Sequence, residues 1–249
     1  MFSIVSRSTS PGSIEGRSFR AAGYPVEDSI TVDAGLLACG AVAGPLFVTA
    51  FVVQGATRPD YDPLRHSIST LALGSHFGWI QIANFVVAGL LSLAFAVGVW
   101  VVLRGQRGSI WGPLLIGLWA VSLLLAGIFV TDPTAGYPPG TPARIQDPSV
   151  HGIVHNLSVG LGFPALLVAF FVFAKRFAAQ GKRGWVLYSV VSGAVFIVAV
   201  VLASYGFPRT EGLGEVGGLF QRISVVSGWV WLTALAIYLL IERSVKRVA

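Results

Sequence analysis

Charged side chains are scarce in this sequence. Asp, Glu, Lys and Arg make up 11% of the 249 residues, whereas roughly 25% is usual in a soluble domain. The hydrophobic fraction is 54% and the mean hydropathy is +0.75. These side chains offer too little polar surface to coat a water-soluble globule, so the composition excludes a soluble enzyme, a nucleic-acid-binding domain and a disordered chain.

Cysteine and the common soluble-enzyme motifs are also lacking. Cys39 is the single cysteine, so no disulfide can form within the chain. Gly212, Gly214 and Gly217 have the spacing of a dinucleotide-binding loop, but no strand precedes them and Glu215 would repel a pyrophosphate. We therefore interpret these glycines as a flexible loop.

Long apolar runs, in contrast, are abundant. Six of them are long enough to cross about 30 Å of hydrocarbon, at residues 34–54, 78–103, 111–130, 152–174, 185–205 and 220–241. They predict an all-α integral membrane protein with six transmembrane helices in a domain spanning 33–243. A disordered tail at 1–32 and a short basic tail at 244–249 would flank this domain.

The basic residues predict the orientation of the helices. About 12 of the 17 Lys and Arg residues lie in the two tails and in the second and fourth connections, against about five on the opposite side. Arginine far outnumbers lysine, and Ala, Gly and Val abound, a composition that suggests a GC-rich bacterium. Because basic loops stay in the cytoplasm, we expect both termini to be cytoplasmic in a bacterial plasma membrane. The expected partners are membrane lipids and not nucleic acid.

The three connections on the predicted outer side carry most of the polar chemistry. They cover residues 55–77, 131–150 and 206–219. All four histidines lie on or just inside this face, at His66, His76, His151 and His155. Any ligand or reaction is therefore expected on the outer side.

The three helices that enter from this face share a pattern. Each begins with glycine, has a polar residue three positions later and a small polar residue three positions after that. The three sets are Gly78, Gln81 and Asn84; Gly152, His155 and Ser158; and Gly218, Gln221 and Ser224. This spacing puts both polar groups on one helix face. It predicts three helical hairpins around a shared polar vestibule, although three short matches can also arise by chance in a glycine-rich chain.

Several outer-side motifs occur together in order: Arg58 to Ser69, Gly78 to Gln81, Asn84-Phe85, Thr131-Asp132-Pro133, Gly136-Tyr137-Pro138 and His151 to His155. With them the sequence, over about 34–241, resembles the bacterial six-span membrane family catalogued as domain of unknown function 998. The resemblance implies an integral membrane protein without an established activity.

A metal site is one hypothesis for the histidines. His151 and His155 are four residues apart, which stacks two imidazoles on one helix face. With His66 as a third ligand and Asp132 as ligand or catalytic base, they would bind Zn²⁺ and activate a water. The alternative is structural: His151 faces solvent, His155 makes one hydrogen bond in the bundle, and Asp132 pairs with an arginine, namely Arg144, Arg209 or Arg222.

The segment after Asp62 is predicted to form a short outer helix, with Asp62 as N-cap and Pro63 in the first turn. We expect it to lie on the outer leaflet, and the alternative is a lid that carries His66, Ser67 and Ser69 over the vestibule. The tryptophans near span ends, Trp79, Trp111, Trp185 and Trp229, are interpreted as interface anchors.

The candidate ligand-binding residues are Arg65, Ser69, Gln81, Asn84, Ser158 and Gln221. Their alternative role is hydrogen bonding between helices. Three functions stay open at this point. The first is binding of a small molecule or lipid headgroup in an outward-facing polar vestibule. The second is metal-dependent hydrolysis of a lipid or amide, and the third is a role as accessory subunit of a membrane complex.

Overall fold

The structure is a computed structural model that describes residues 26–74, 77–106, 109–208 and 210–248, with side chains from 33 to 245. Six α-helices form it: α1 (Val26–Thr57), α2 (Gly78–Leu103), α3 (Trp111–Ile128), α4 (Val150–Ala179), α5 (Arg183–Gly206) and α6 (Gly217–Val248). All six are long and apolar enough to cross a membrane. The prediction of six spanning helices is confirmed, and the described residues contain no β-strand.

The largest differences from the sequence-based helix boundaries lie at the start of the first helix and at the end of the last. Helix α1 begins at Val26, inside the segment assigned to the first tail, and α6 continues to Val248, through most of the second. These extensions carry polar residues that apolar-run counting leaves out. One ion pair joins them, because Arg243 Nη2 lies 2.7 Å from Asp33 Oδ2. The start of α1 and the end of α6 therefore lie on the same side of the bundle.

The six helices form a closed ring. Each packs against its neighbours in the chain, and α6 packs against α1 to close it. Small residues allow the close approach: at Gly98 a Cβ would lie 2.9 Å from the Leu36 Cβ and 3.1 Å from its carbonyl carbon. Small residues at helix contacts are typical of membrane bundles, where packing and not the hydrophobic effect holds helices together.

Aromatic side chains fill the middle of the ring. Trp229 lies at their centre, with its ring centroid 5.3 Å from that of Phe47 and 5.8 Å from that of Trp119. The prediction that Trp229 is an interface anchor is wrong, since the side chain is only 1% exposed. Trp79 and Trp111 remain exposed, as an interface position requires.

Residues 58–74, which we call the plug, enter the ring from the end that carries the long connections, here called the loop end. A short 3-10 helix (Ile68–Ala72) forms its inner part and packs against α1, α2 and α6. Its residues Ile68 to Leu71 are buried. The prediction of an interfacial helix is therefore wrong: Asp62 does cap a turn by accepting from Leu64 N at 2.9 Å, but the chain then turns inward.

Arginines anchor the plug at both ends. The buried Arg58 donates from Nη2 to the carbonyl oxygens of Leu71 and Phe77, at 3.2 and 3.1 Å. Arg222 of α6 donates to the His66 carbonyl at 2.9 Å and to the Tyr61 hydroxyl at 2.5 Å. Backbone carbonyls that would otherwise lack partners inside the bundle are satisfied in this way.

Candidate functional site

A cavity of about 620 Å³ lies between α4 and α5 at the loop end. Ser67 and Ser69 of the plug and Gln221 and Ser224 of α6 form its inner wall. The connection between α3 and α4 contributes Thr131, Thr134, Arg144 and Ile145. The ring is thus incompletely filled on one side, and the space is reached both from the loop end and between two helices.

The lining changes character along the helices. On α4, His155 and Asn156 are followed by Val159 and Gly160, and then by Phe163 and Pro164. Asn156, Gly160 and Pro164 are all exposed and recur every four residues, so they form one stripe along the opening. The cavity is polar near the loop end and apolar towards the middle of the bundle.

Ser69 and His155 meet at the inner wall. The Ser69 Oγ lies 3.0 Å from His155 Nε2, and His155 Nδ1 lies 2.9 Å from the carbonyl oxygen of Phe129. Both side chains are buried against protein yet border the cavity. Gln221 lies on the same wall, and its Oε1 accepts from the backbone N–H of Ile68 at 2.7 Å.

Three of the predicted site residues, Ser69, His155 and Gln221, therefore come together. The other predicted ligand-binding residues do not line the cavity. Gln81 and Asn84 lie in a buried cluster between α1 and α2, where Gln81 Oε1 accepts from Gln54 at 2.9 Å and from Asn84 at 3.3 Å. Ser158 donates to the His155 carbonyl at 2.7 Å, and the half-buried Arg65 lies in the plug.

The predicted zinc ligands are not brought together. The described residues contain no group of three His, Cys, Asp or Glu side chains that could hold a metal ion. His151 is exposed and packs edge-on against Phe129, while both ring nitrogens of His155 are engaged as described above. His76 lies outside the described residues.

His66 is also committed to the protein. Its Nδ1 accepts from the backbone N–H of Asp62 at 2.9 Å, and the Ala135 backbone hydrogen-bonds the ring as well. The ring packs against Tyr61 and Tyr137, with centroids 5.3 and 5.2 Å away. Burial lowers the pKa of His66, which keeps the ring neutral and Nδ1 able to accept. His66 thus ties the plug to the α3–α4 connection.

Asp132 takes a structural position at the start of α4. Its Oδ2 accepts from the backbone N–H of Ser149 at 3.0 Å, and the Ser149 hydroxyl in turn accepts from Gly152 N at 3.0 Å. Among the described side chains no arginine lies within ion-pair distance of Asp132. Arg209, one of its predicted partners, is not described. Carboxylates and hydroxyls at a helix N-terminus satisfy its unpaired N–H groups.

The repeat noted in the sequence has a common local structure. A Cβ at Gly78 would overlap the carbonyl of Ala72, one at Gly152 the Asp132 carboxylate, and one at Gly218 the carbonyl of His66. Each glycine thus lets a preceding segment pack against a helix start. The polar residue three positions later then hydrogen-bonds a neighbouring segment. Gln81 pairs with Gln54, His155 with Ser69, and Gln221 with the backbone N–H of Ile68.

Sequence reasoning placed neither Asn156 nor Ser204 at the site and considered Arg144 only as an ion-pair partner of Asp132, yet all three line the cavity. Asn156 carried a usable signal, because Asn156, Gly160 and Pro164 form a stripe of small and polar residues on an otherwise apolar helix. Sequence reasoning also missed the structural role of Arg58, because a buried residue at the end of a span produces no periodic pattern in the sequence.

The family model described as "Protein of unknown function (DUF998)" matches residues 41–238. The chain belongs to the DUF998 family. No curated protein and no solved structure matches this DUF998 member. The matched region runs from α1 into α6 and includes every element that borders the cavity.

Proposed function

We propose that this DUF998 protein binds one lipid-like amphiphile in the cavity between α4 and α5. The polar headgroup would lie near the loop end and the apolar chain between the two helices. The observation that carries the proposal is the graded lining, from His155 and Asn156 to Phe163 and Pro164 along one helix. A molecule with a polar end and an apolar tail matches this gradient.

The charge of the lining favours an electron-rich headgroup. Arg144 borders the cavity, whereas none of the described Asp and Glu residues does. Arg144 makes no ion pair with any described side chain. Its guanidinium can therefore receive a phosphate or carboxylate, for which arginine has a matching donor geometry.

The size and the location of the cavity agree with such a ligand. Its volume of about 620 Å³ falls within the range of roughly 300–1,000 Å³ typical of small-molecule sites. Leu157, Leu161 and Val168 on the same helix are exposed, as expected of side chains that face lipid tails. An amphiphile could therefore enter sideways from the bilayer, without crossing the loop end.

The proposal is tested by a substitution at Gly160 that fills the cavity. A Cβ there meets no atom within 4 Å, so a side chain can start from this position without a clash, and Gly160→Phe places its ring in the opening. Native mass spectrometry of the purified protein should show one retained lipid in the wild type and none in the variant. Gly184→Phe is the matched control, since its Cβ also meets nothing within 4 Å and it lies outside the cavity.

Two results would contradict the proposal: a wild-type protein that retains no lipid under gentle purification, or a Gly160→Phe variant that retains as much as Gly184→Phe. An unchanged elution volume for both variants verifies that they fold.

We further propose that the termini face the cytoplasm of a bacterial plasma membrane. The support is the excess of Lys and Arg, about 12 against five, at the end opposite the plug. The cavity would then open on the outer side. A fluorescent protein that folds only in the cytoplasm, fused after Ala249, should fluoresce, and a dark but expressed fusion would reverse the orientation.

A further inference from the structure

Ser69 and His155 have the arrangement of a nucleophile and its base. The hydroxyl oxygen and the imidazole nitrogen are 3.0 Å apart, within the range of about 2.6–3.2 Å that proton transfer requires. A third group orients the base, because the Phe129 carbonyl lies 2.9 Å from the other ring nitrogen. This nucleophile, base and orienting acceptor follow the logic of a catalytic triad.

The Phe129 carbonyl also determines the tautomer of His155. A carbonyl oxygen can only accept a hydrogen bond, so Nδ1 must carry the proton. In the neutral ring Nε2 then has a lone pair, and the Ser69 hydroxyl donates to it. The proton is thus already directed from the serine towards the base.

We propose that Ser69 and His155 hydrolyse a carboxylic ester of the bound amphiphile. The inference rests on the proposed function for its substrate, since both residues border the cavity assigned to that amphiphile. The geometry of the pair does not depend on metal. Of the three histidines predicted as metal ligands, His155 is the one that borders the cavity.

The reaction proceeds in two balanced steps. Ser69 Oγ attacks the ester carbonyl carbon while its proton moves to His155 Nε2, and the resulting intermediate expels the alcohol, which takes that proton. A water molecule then attacks the acyl-serine with His155 again as base, which releases the carboxylic acid and restores the serine. One ester and one water give one acid and one alcohol.

Gln221 is positioned to stabilise the oxyanion. Its carbonyl oxygen is held by the N–H of Ile68, which directs the amide NH₂ group away from that backbone. Gln221 borders the cavity beside Ser69. A side-chain amide fixed in this way is a typical oxyanion donor.

The test uses an alkyl fluorophosphonate, which reacts covalently with activated serines, and p-nitrophenyl esters of increasing chain length. The full-length wild-type protein should gain one probe molecule, mapped by peptide mass spectrometry to Ser69, and should hydrolyse the esters. Ser69→Ala should lose both reactions. His155→Gln, which keeps a donor for Phe129, should slow labelling by about 100-fold or more.

Ser92→Ala is the control for loss of a buried hydroxyl. Ser92 is buried in α2, its Oγ has no hydrogen-bond partner among the described residues, and it does not border the cavity. This variant should label and hydrolyse at the wild-type rate. Thermal stability and lipid retention, measured on each variant, distinguish loss of chemistry from loss of fold.

The outcomes separate this inference from the proposed function. Lipid retained by Ser69→Ala together with lost labelling supports both. Lipid retained by a wild-type protein that neither labels nor hydrolyses overturns the catalytic pair and leaves the binding function standing. Hydrolysis by Ser69→Ala at the wild-type rate also overturns it, and absence of lipid from both the wild type and Ser69→Ala removes the binding function itself.

Discussion

Gly218→Ala should lower the free energy of unfolding by about 2–3 kcal/mol, as expected for overpacking against a rigid neighbour. The new Cβ would overlap the carbonyl oxygen of His66 and lie 2.8 Å from that of Pro63. Both atoms belong to the backbone of the plug, so no side-chain rotation can relieve the contact. The plug must move away from α6, which breaks the bond from Leu219 N to the Leu64 carbonyl.

Gly35→Ala is the matched control in α1. A Cβ at that position meets no atom within 4 Å, and alanine is favoured over glycine inside a helix by about 0.5–1 kcal/mol. The same substitution should therefore leave the unfolding midpoint unchanged or raise it. Denaturant unfolding in detergent measures both, and equal midpoints for the two variants would contradict the close packing of the plug on α6.

Arg222→Met should release the plug and lower the free energy of unfolding by about 2–4 kcal/mol. This is the range expected when charge-assisted hydrogen bonds to buried acceptors are lost. The guanidinium donates to the His66 and Gly218 carbonyls and to the Tyr61 hydroxyl. Methionine has a similar length but no donor, so these acceptors would lose the bond without gaining water. Trypsin cleavage after Arg65 measures the release directly and should become fast.

Arg104→Met provides the comparison at the other end of the bundle. Arg104 is exposed, and its guanidinium lies over Trp100 at 4.5 Å, a contact worth at most about 1 kcal/mol at such a site. Its loss should leave cleavage after Arg65 as slow as in the wild type. If Arg222→Met also kept the plug resistant to trypsin, its three hydrogen bonds would not be what secures the plug.

The spanning helices were predictable because membrane insertion depends on a local property, the length of an apolar run. The ends of the helices were less predictable, because the segment from Val26 to Asp33 is helical although it contains Glu27 and Asp28. Closure of the ring by α6 on α1 is a contact between distant parts of the chain, and no local pattern specifies it.

The site was only partly predictable for the same reason. The i, i+3 pattern identified His155 and Gln221 as inward-facing polar residues, which both are. It could not tell whether His155 would meet another histidine or the plug, because this depends on where residues 58–74 fold. The sequence of that segment suits an amphipathic surface helix, and the anchoring by Arg58 and Arg222 overrides this preference.

The most direct test of amphiphile binding between α4 and α5 is a map of the protein in lipid nanodiscs by electron cryomicroscopy. Binding of one amphiphile should give one elongated density in the opening between α4 and α5, with its head beside Arg144 and its tail along Gly160 and Pro164. A map in which α4 and α5 close upon each other, or in which the opening contains no more density than the surrounding bilayer, would contradict it.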